Sequence, residues 1–83
     1  MNTIIDVNAT FNTVGDIKPI YVRLEDGYHE LQTYKIYRIN QIKNEKYSGI
    51  NSILYNCSII QENTEREIKI RYYIDSHKWA EIN

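Results

Sequence analysis

Hydrophobic and polar residues alternate along nearly the whole chain, the two-residue period of strands with one dry and one wet face. Ile20, Val22 and Leu24 alternate with Tyr21, Arg23 and Glu25, then Asp26-Gly27 precedes a second aromatic-rich run. Asp-Gly between alternating runs signals a tight two-residue hairpin turn, because both central positions of that turn need positive φ. Upstream, Ile5, Val7, Ala9 and Phe11 point one way and Asp6, Asn8 and Thr10 the other, which predicts a first strand over residues 4–11. Residues 12–16 read as a turn with Gly15 free to adopt positive φ. The second strand covers residues 17–25. Pro19 within it has no backbone donor, which puts that end on an edge, at a bulge or ahead of the pairing.

The third strand is expected over residues 28–42, in one piece or two. Tyr34 and Ile36 share a face, but Ile39 and Ile42 fall at spacings of three, which need a β-bulge or a turn of helix. Residues 43–51 read as a polar loop around Gly49. A fourth strand over 52–61 alternates Ile53, Tyr55, Cys57 and Ile59, the preferred core set, with Leu54, Asn56, Ser58 and Ile60. Residues 62–65 form a hairpin loop. The fifth strand, 66–74, turns Ile68, Ile70, Tyr72 and Ile74 inward and Glu67, Lys69, Arg71 and Tyr73 outward. Asp75-Ser76-His77 turns the chain into a short last strand that starts at Trp79.

Five or six strands with short connections predict an all-β domain over residues 1–83. A lone sheet of this size exposes an apolar face, so it must curl up or find a cover. The expected solution is a small antiparallel SH3-like barrel; the alternative, an OB-like barrel, needs a helix near residues 41–47. A dimer that covers a strand edge would add buried surface.

Composition narrows the function classes. Hydrophobic residues make up 42% and charged residues 25% of the 83, ordinary for a folded protein. The formal net charge of -1 gives no global basic field for nucleic acid or an anionic membrane. A single cysteine, Cys57, allows no internal disulfide, and the first residues carry neither a basic segment nor an apolar stretch. No apolar run reaches bilayer-spanning length. These features predict a cytoplasmic protein.

Val7-Asn8-Ala9-Thr10-Phe11, Gly15-Asp16-Ile17-Lys18-Pro19, Glu25-Asp26-Gly27 and Tyr34-Lys35-Ile36 with Ile39 resemble the front half of a group of small uncharacterised proteins from clostridia and related low-GC Firmicutes. Tyr55-Asn56-Cys57-Ser58-Ile59, Ile70-Arg71-Tyr72 and Trp79 resemble the back half. The resemblance implies a small all-β, SH3-like domain and brings no activity with it. Residues 43–51 depart from that pattern, lacking its small residues and basic charge.

Catalytic and metal-binding signals are thin. His29 and His77 are far apart, and Cys57 has neither a cysteine partner nor a local histidine, so no zinc spacing exists and no cofactor is expected. Cys57 shares its parity with core positions, which predicts a buried, inert thiol. Glu25-Asp26 and Asp75 with Glu81 would need a cleft to act as an acid–base pair, and turn formation or solvation explains them without one. A glycine-rich phosphate loop and a nucleophile elbow are both missing. The chain does not read as an enzyme.

Surface chemistry says more. Eight tyrosines cannot all be core, and Tyr21, Tyr28, Tyr37, Tyr47 and Tyr73 are outward candidates. Tyrosine and arginine are over-represented at protein-binding hot spots, because a rigid ring buries area at low entropic cost. The expected surface is Tyr21, Arg23, Tyr37, Lys69, Arg71 and Tyr73, read as lying on adjacent strands. Its expected partner is another protein or a second copy of the chain. Single-stranded nucleic acid along the same basic and aromatic strip is the competing reading, with Glu30, Glu45, Glu65 and Glu67 diluting the charge.

Overall fold

β-branched and aromatic residues fill six strands in the computed structural model, which describes residues 2–82; Met1 and Asn83, the ends of the expected domain, lie outside them. The strands are β1 (Thr3–Phe11), β2 (Ile17–Glu25), β3 (Leu31–Tyr47), β4 (Ile50–Gln61), β5 (Thr64–Tyr73) and β6 (Lys78–Ile82). They close a barrel in chain order, every neighbour antiparallel. The all-β, SH3-like expectation holds. Strand β3 runs through residues 41–47, where the OB-like alternative required a helix.

Two strands change partners and so divide the barrel into two sheets. Residues 6–11 of β1, all of β2 and residues 31–35 of β3 make a three-stranded sheet. Residues 36–47 of β3, then β4, β5, β6 and residues 3–5 of β1 make the other. Strand β3 turns this corner with two bulges, where Tyr37 and Asn40 are the extra residues. Each bulge resets the alternation, which is how Ile36 and Ile39 both face the interior. A third irregularity in the β1–β2 register leaves Ile20 unpaired directly beside Pro19. The proline is therefore buried at a bulge, on the part of β2 that β3 has already left.

Val22, Leu24, Tyr55, Cys57, Ile59, Ile68, Ile70, Tyr72 and Trp79 form the core, as the alternation predicts. Phe11 and Ile74 do not join it. Phe11, the last residue of β1, is 66% exposed, and Ile74 lies beyond the end of β5 in the following turn. Both have inward parity, but the barrel ends before it can cover them.

Turn chemistry departs from expectation in an instructive way. Asp26-Gly27 does not make the two-residue turn. Gly27 stays out of the left-handed region, and residues 26–30 connect the strands, closed by a hydrogen bond from the Asp26 amide to the Glu30 carbonyl, with His29 at φ 62°. Asp26 Oδ1 accepts from the amides of Tyr28 (2.7 Å) and Glu30 (3.1 Å), which holds its carboxyl below the usual range, Glu30 contributing most. The first turn is built the same way. Asn12 Oδ1 accepts from Val14 and Asp16, and Gly15 takes the left-handed position. The side-chain acceptor at the turn's first residue, rather than Asp-Gly as a pair, selects the geometry.

The two-residue turns are at Ser48-Gly49 and Glu62-Asn63, all four residues having positive φ. Residues 43–51, read from sequence as a loop, are the end of β3, this turn and the start of β4. Glu62 is strained there, since left-handed backbone costs an L-residue about 1–2 kcal/mol. Replacing Glu62-Asn63 by Asn-Gly should raise stability by about 1 kcal/mol, read as a higher urea midpoint at unchanged slope. A lower midpoint would show that Glu62 contributes something other than strain.

Candidate functional site

Neighbouring strands β2 and β3 set Tyr21 opposite Lys35 and Arg23 opposite Thr33, and Lys18 shares their outward side. The first bulge of β3 throws Tyr37 outward, 61% exposed, with the Arg38 guanidinium 5.9 Å from its ring centre. Tyr21, Arg23 and Tyr37 of the expected surface therefore belong to one face.

Lys69, Arg71 and Tyr73 do not belong with them. All three lie on β5, which is three strands from β2 whichever way round the barrel one counts. Their outward parity was read correctly; their neighbourhood was not. Arg71 also holds the Glu45 carboxylate at 2.7 Å, and half-buried Tyr73 sits in a groove of about 430 Å³ with Tyr47 and Ile50. The six residues form two faces on opposite sides of the barrel.

The arginines of the two faces differ in pairing. Arg38 pairs with Glu65 at 2.9 Å, Arg66 with Glu81 at 3.4 Å and Arg71 with Glu45. Among the described residues Arg23 is the one arginine without a carboxylate within 4 Å, and Lys18 and Lys35 on its sheet have none either. Lys18 and Lys35 are thus free to meet an outside anion, as Lys46, Lys69 and Lys78 are elsewhere, whereas Arg23 has Asp6 opposite it across the strand pair and the other arginines are already paired.

A fork opens beside this face because β3 leaves β2 after Lys35. Its outer part, about 450 Å³, is lined by Lys18, Pro19, Ile20, Lys35, Tyr37 and Arg38. Its inner part, about 480 Å³, has an apolar wall of Ile17, Ile39, Ile42 and Ile53. Tyr55 closes the floor, donating its hydroxyl to the Ile17 carbonyl at 2.6 Å across the gap. No family model, curated protein or solved structure matches the chain.

The chemistry-bearing side chains elsewhere are committed to structure. Cys57 is fully buried, and desolvation pushes its thiol up to about 12. His77 Nδ1 lies 3.0 Å from the Tyr72 hydroxyl, and His29 takes the left-handed position of its turn. A second opening, about 600 Å³, separates the start of β1 from the β2–β3 turn and gathers Asp6, Glu25, Asp26 and Glu81 around Arg23 and His29. Among the described residues no group of three or more His, Cys, Asp or Glu is placed to hold a metal ion. No helix there is long and apolar enough to cross a membrane.

Sequence reasoning omitted Lys18 and read Lys35 only as one cation of the basic and aromatic run over residues 34–38, outside the six-residue surface. Their outward parity was readable, but the cross-strand register that sets Lys35 beside Tyr21 was not.

Proposed function

We propose that this barrel is a non-catalytic binding module of the cytoplasm that holds a protein partner on the outward face of β2 and the first half of β3. The observation that carries this reading is the set of unpaired cations, Lys18, Arg23 and Lys35, interleaved with exposed Tyr21 and Tyr37. An unpaired surface cation can meet a partner's carboxylate without first breaking an internal pair, and solvent-facing phenol rings supply contact area with little rotamer entropy to lose. A buried Cys57 thiol and a His77 engaged with Tyr72 support a role without catalysis.

A photo-crosslinking residue at position 37 should label one identifiable protein in a lysate of the source organism, and the same residue at position 69 should not. A second copy of this chain is one acceptable partner. Equal labelling from both positions would remove the face from consideration. Tyr37→Ala should change stability by less than about 0.5 kcal/mol, since the ring is exposed. It should nonetheless cost about 2 kcal/mol in partner affinity.

Single-stranded nucleic acid is the second reading, favoured by the same alternation of rings and cations. It predicts binding of a labelled oligonucleotide that falls steeply with salt. No binding at low salt removes it.

A further inference from the structure

Strand β3 has an unused edge. Over residues 36–47 it pairs with β4 on one side, and on the other side, among the described residues, no strand follows it once β2 has been left behind. An unpaired row of backbone donors and acceptors is a template for another strand. The bulges at Tyr37 and Asn40 interrupt that row, so regular pairing is available only from Gln41 onward.

The fork beside this edge has two unlike ends. Toward Asn44 the wall is apolar, with Ile39, Ile42 and Ile53, and Asp16 and Lys18 line its rim without forming an ion pair. Toward Lys35 the lining charges are Lys18, Lys35 and Arg38; Arg38 is already paired with Glu65, which leaves Lys18 and Lys35 outside any ion pair. Ile42 remains 57% exposed although it lies opposite the buried Tyr55. An apolar floor beside a free backbone edge, leading to unpaired cations, describes an occupant.

We infer that the β2–β3 fork takes an extended polypeptide segment with alternating apolar residues at one end and a cluster of carboxylates at the other. The apolar end adds as a strand to the edge of β3 at residues 41–44 and seats its side chains on Ile39 and Ile42. The acidic end lies over Lys18 and Lys35. Strand addition draws affinity from main-chain hydrogen bonds and specificity from alternate side chains. The requirement for a backbone edge favours polypeptide over nucleic acid. This inference rests on the protein-binding reading above and narrows it.

The test uses a labelled peptide of alternating valine and threonine that ends in glutamates, followed by fluorescence anisotropy with the full chain. Saturable binding is expected, with slowed amide exchange in residues 41–44. Lys18→Glu with Lys35→Glu should weaken it about tenfold or more, since each reversal turns an attraction into a repulsion. A peptide ending in lysines should bind at least about tenfold more weakly, as should one N-methylated through its valine–threonine half. Circular dichroism of the double variant checks that it folds. The inference is overturned if the glutamate peptide does not bind, if the lysine peptide binds equally well, or if N-methylation changes nothing. Should any of these occur while crosslinks from position 37 persist, only the strand-addition inference falls. Loss of those crosslinks as well removes the protein-binding reading, and crosslinks to nucleic acid transfer the face to the alternative.

Discussion

Replacing Trp79 by alanine should cost about 3–5 kcal/mol, the range for truncating a buried aromatic. The ring is 8% exposed and packs on Tyr72 at 4.8 Å between centroids and on Tyr55 at 5.5 Å, both tilted. Tilted pairs at these distances add to the area term. The position matters as much as the ring. Trp79 lies on the five-residue β6, which pairs with β5 on one side and with residues 3–5 of β1 on the other. It is the strand that closes the barrel. A domain of this length has roughly 4–12 kcal/mol of total stability, so the variant should lose much of its folded population and more than about 15 °C in melting temperature. Trp79→Phe, which keeps a ring on Tyr72, should retain most of that. Far-UV circular dichroism under urea measures both, and a loss below about 1 kcal/mol for the alanine variant would mean that β6 does not close the fold.

Strand identity was legible because one face of each strand is dry. The bounds of β2 match the alternation, and Ile68 and Ile70, the most regular pair in the sequence, are buried. Irregularity was legible too, where a residue type forced it: Pro19 demanded an edge or a bulge and has both. The spacing of Ile36, Ile39 and Ile42 demanded a bulge or a helix, and bulges supplied it.

What failed depends on partners outside the local window. Nothing in the polar composition of residues 43–51 distinguishes a loop from a hairpin that projects past the barrel with both faces wet. Tyr47 and Ile50 pair across that hairpin and are largely exposed, so the dry-face signal is missing there. The binding surface failed for a different reason. Parity assigns a side chain to the outside of a strand, but only ring order decides which outsides are neighbours. In a six-membered ring the outward faces of β2 and β5 look in opposite directions, so half the expected surface belongs to a different face. The fork was invisible for the same reason, since it exists only where β3 changes sheets.

Alkaline pH should unfold this protein earlier than its composition suggests, and Cys57 is the cause. In the unfolded chain the thiol ionises near its ordinary 9.0, whereas burial pushes it up to about 12 in the fold. Between those values the unfolded state has released a proton that the folded state still holds. Fewer protons bound on unfolding means stability falls as pH rises, by about 1.4 kcal/mol per pH unit for one group. Below pH 9 this contribution is constant and fully present. Tyr55 acts in the same direction from about pH 10 upward. Burial, then the neighbouring Cys57, Asp16 and Tyr72, raise its phenol above the ordinary 10.0, and its proton is the one donated to Ile17. Urea midpoints of the native chain should therefore decline steadily from pH 9 and more steeply above pH 10. Cys57→Ala removes the first of these titrations. It should be the less stable protein at pH 8, where losing a buried sulfur leaves a small void, yet its midpoint should hold nearly level between pH 9 and 10. The two curves should converge as pH rises. Parallel curves would mean that the Cys57 thiolate is solvated in the folded state, and the packing around Ile59, Ile70 and Trp79 would have to be looser than the burial of that sulfur implies.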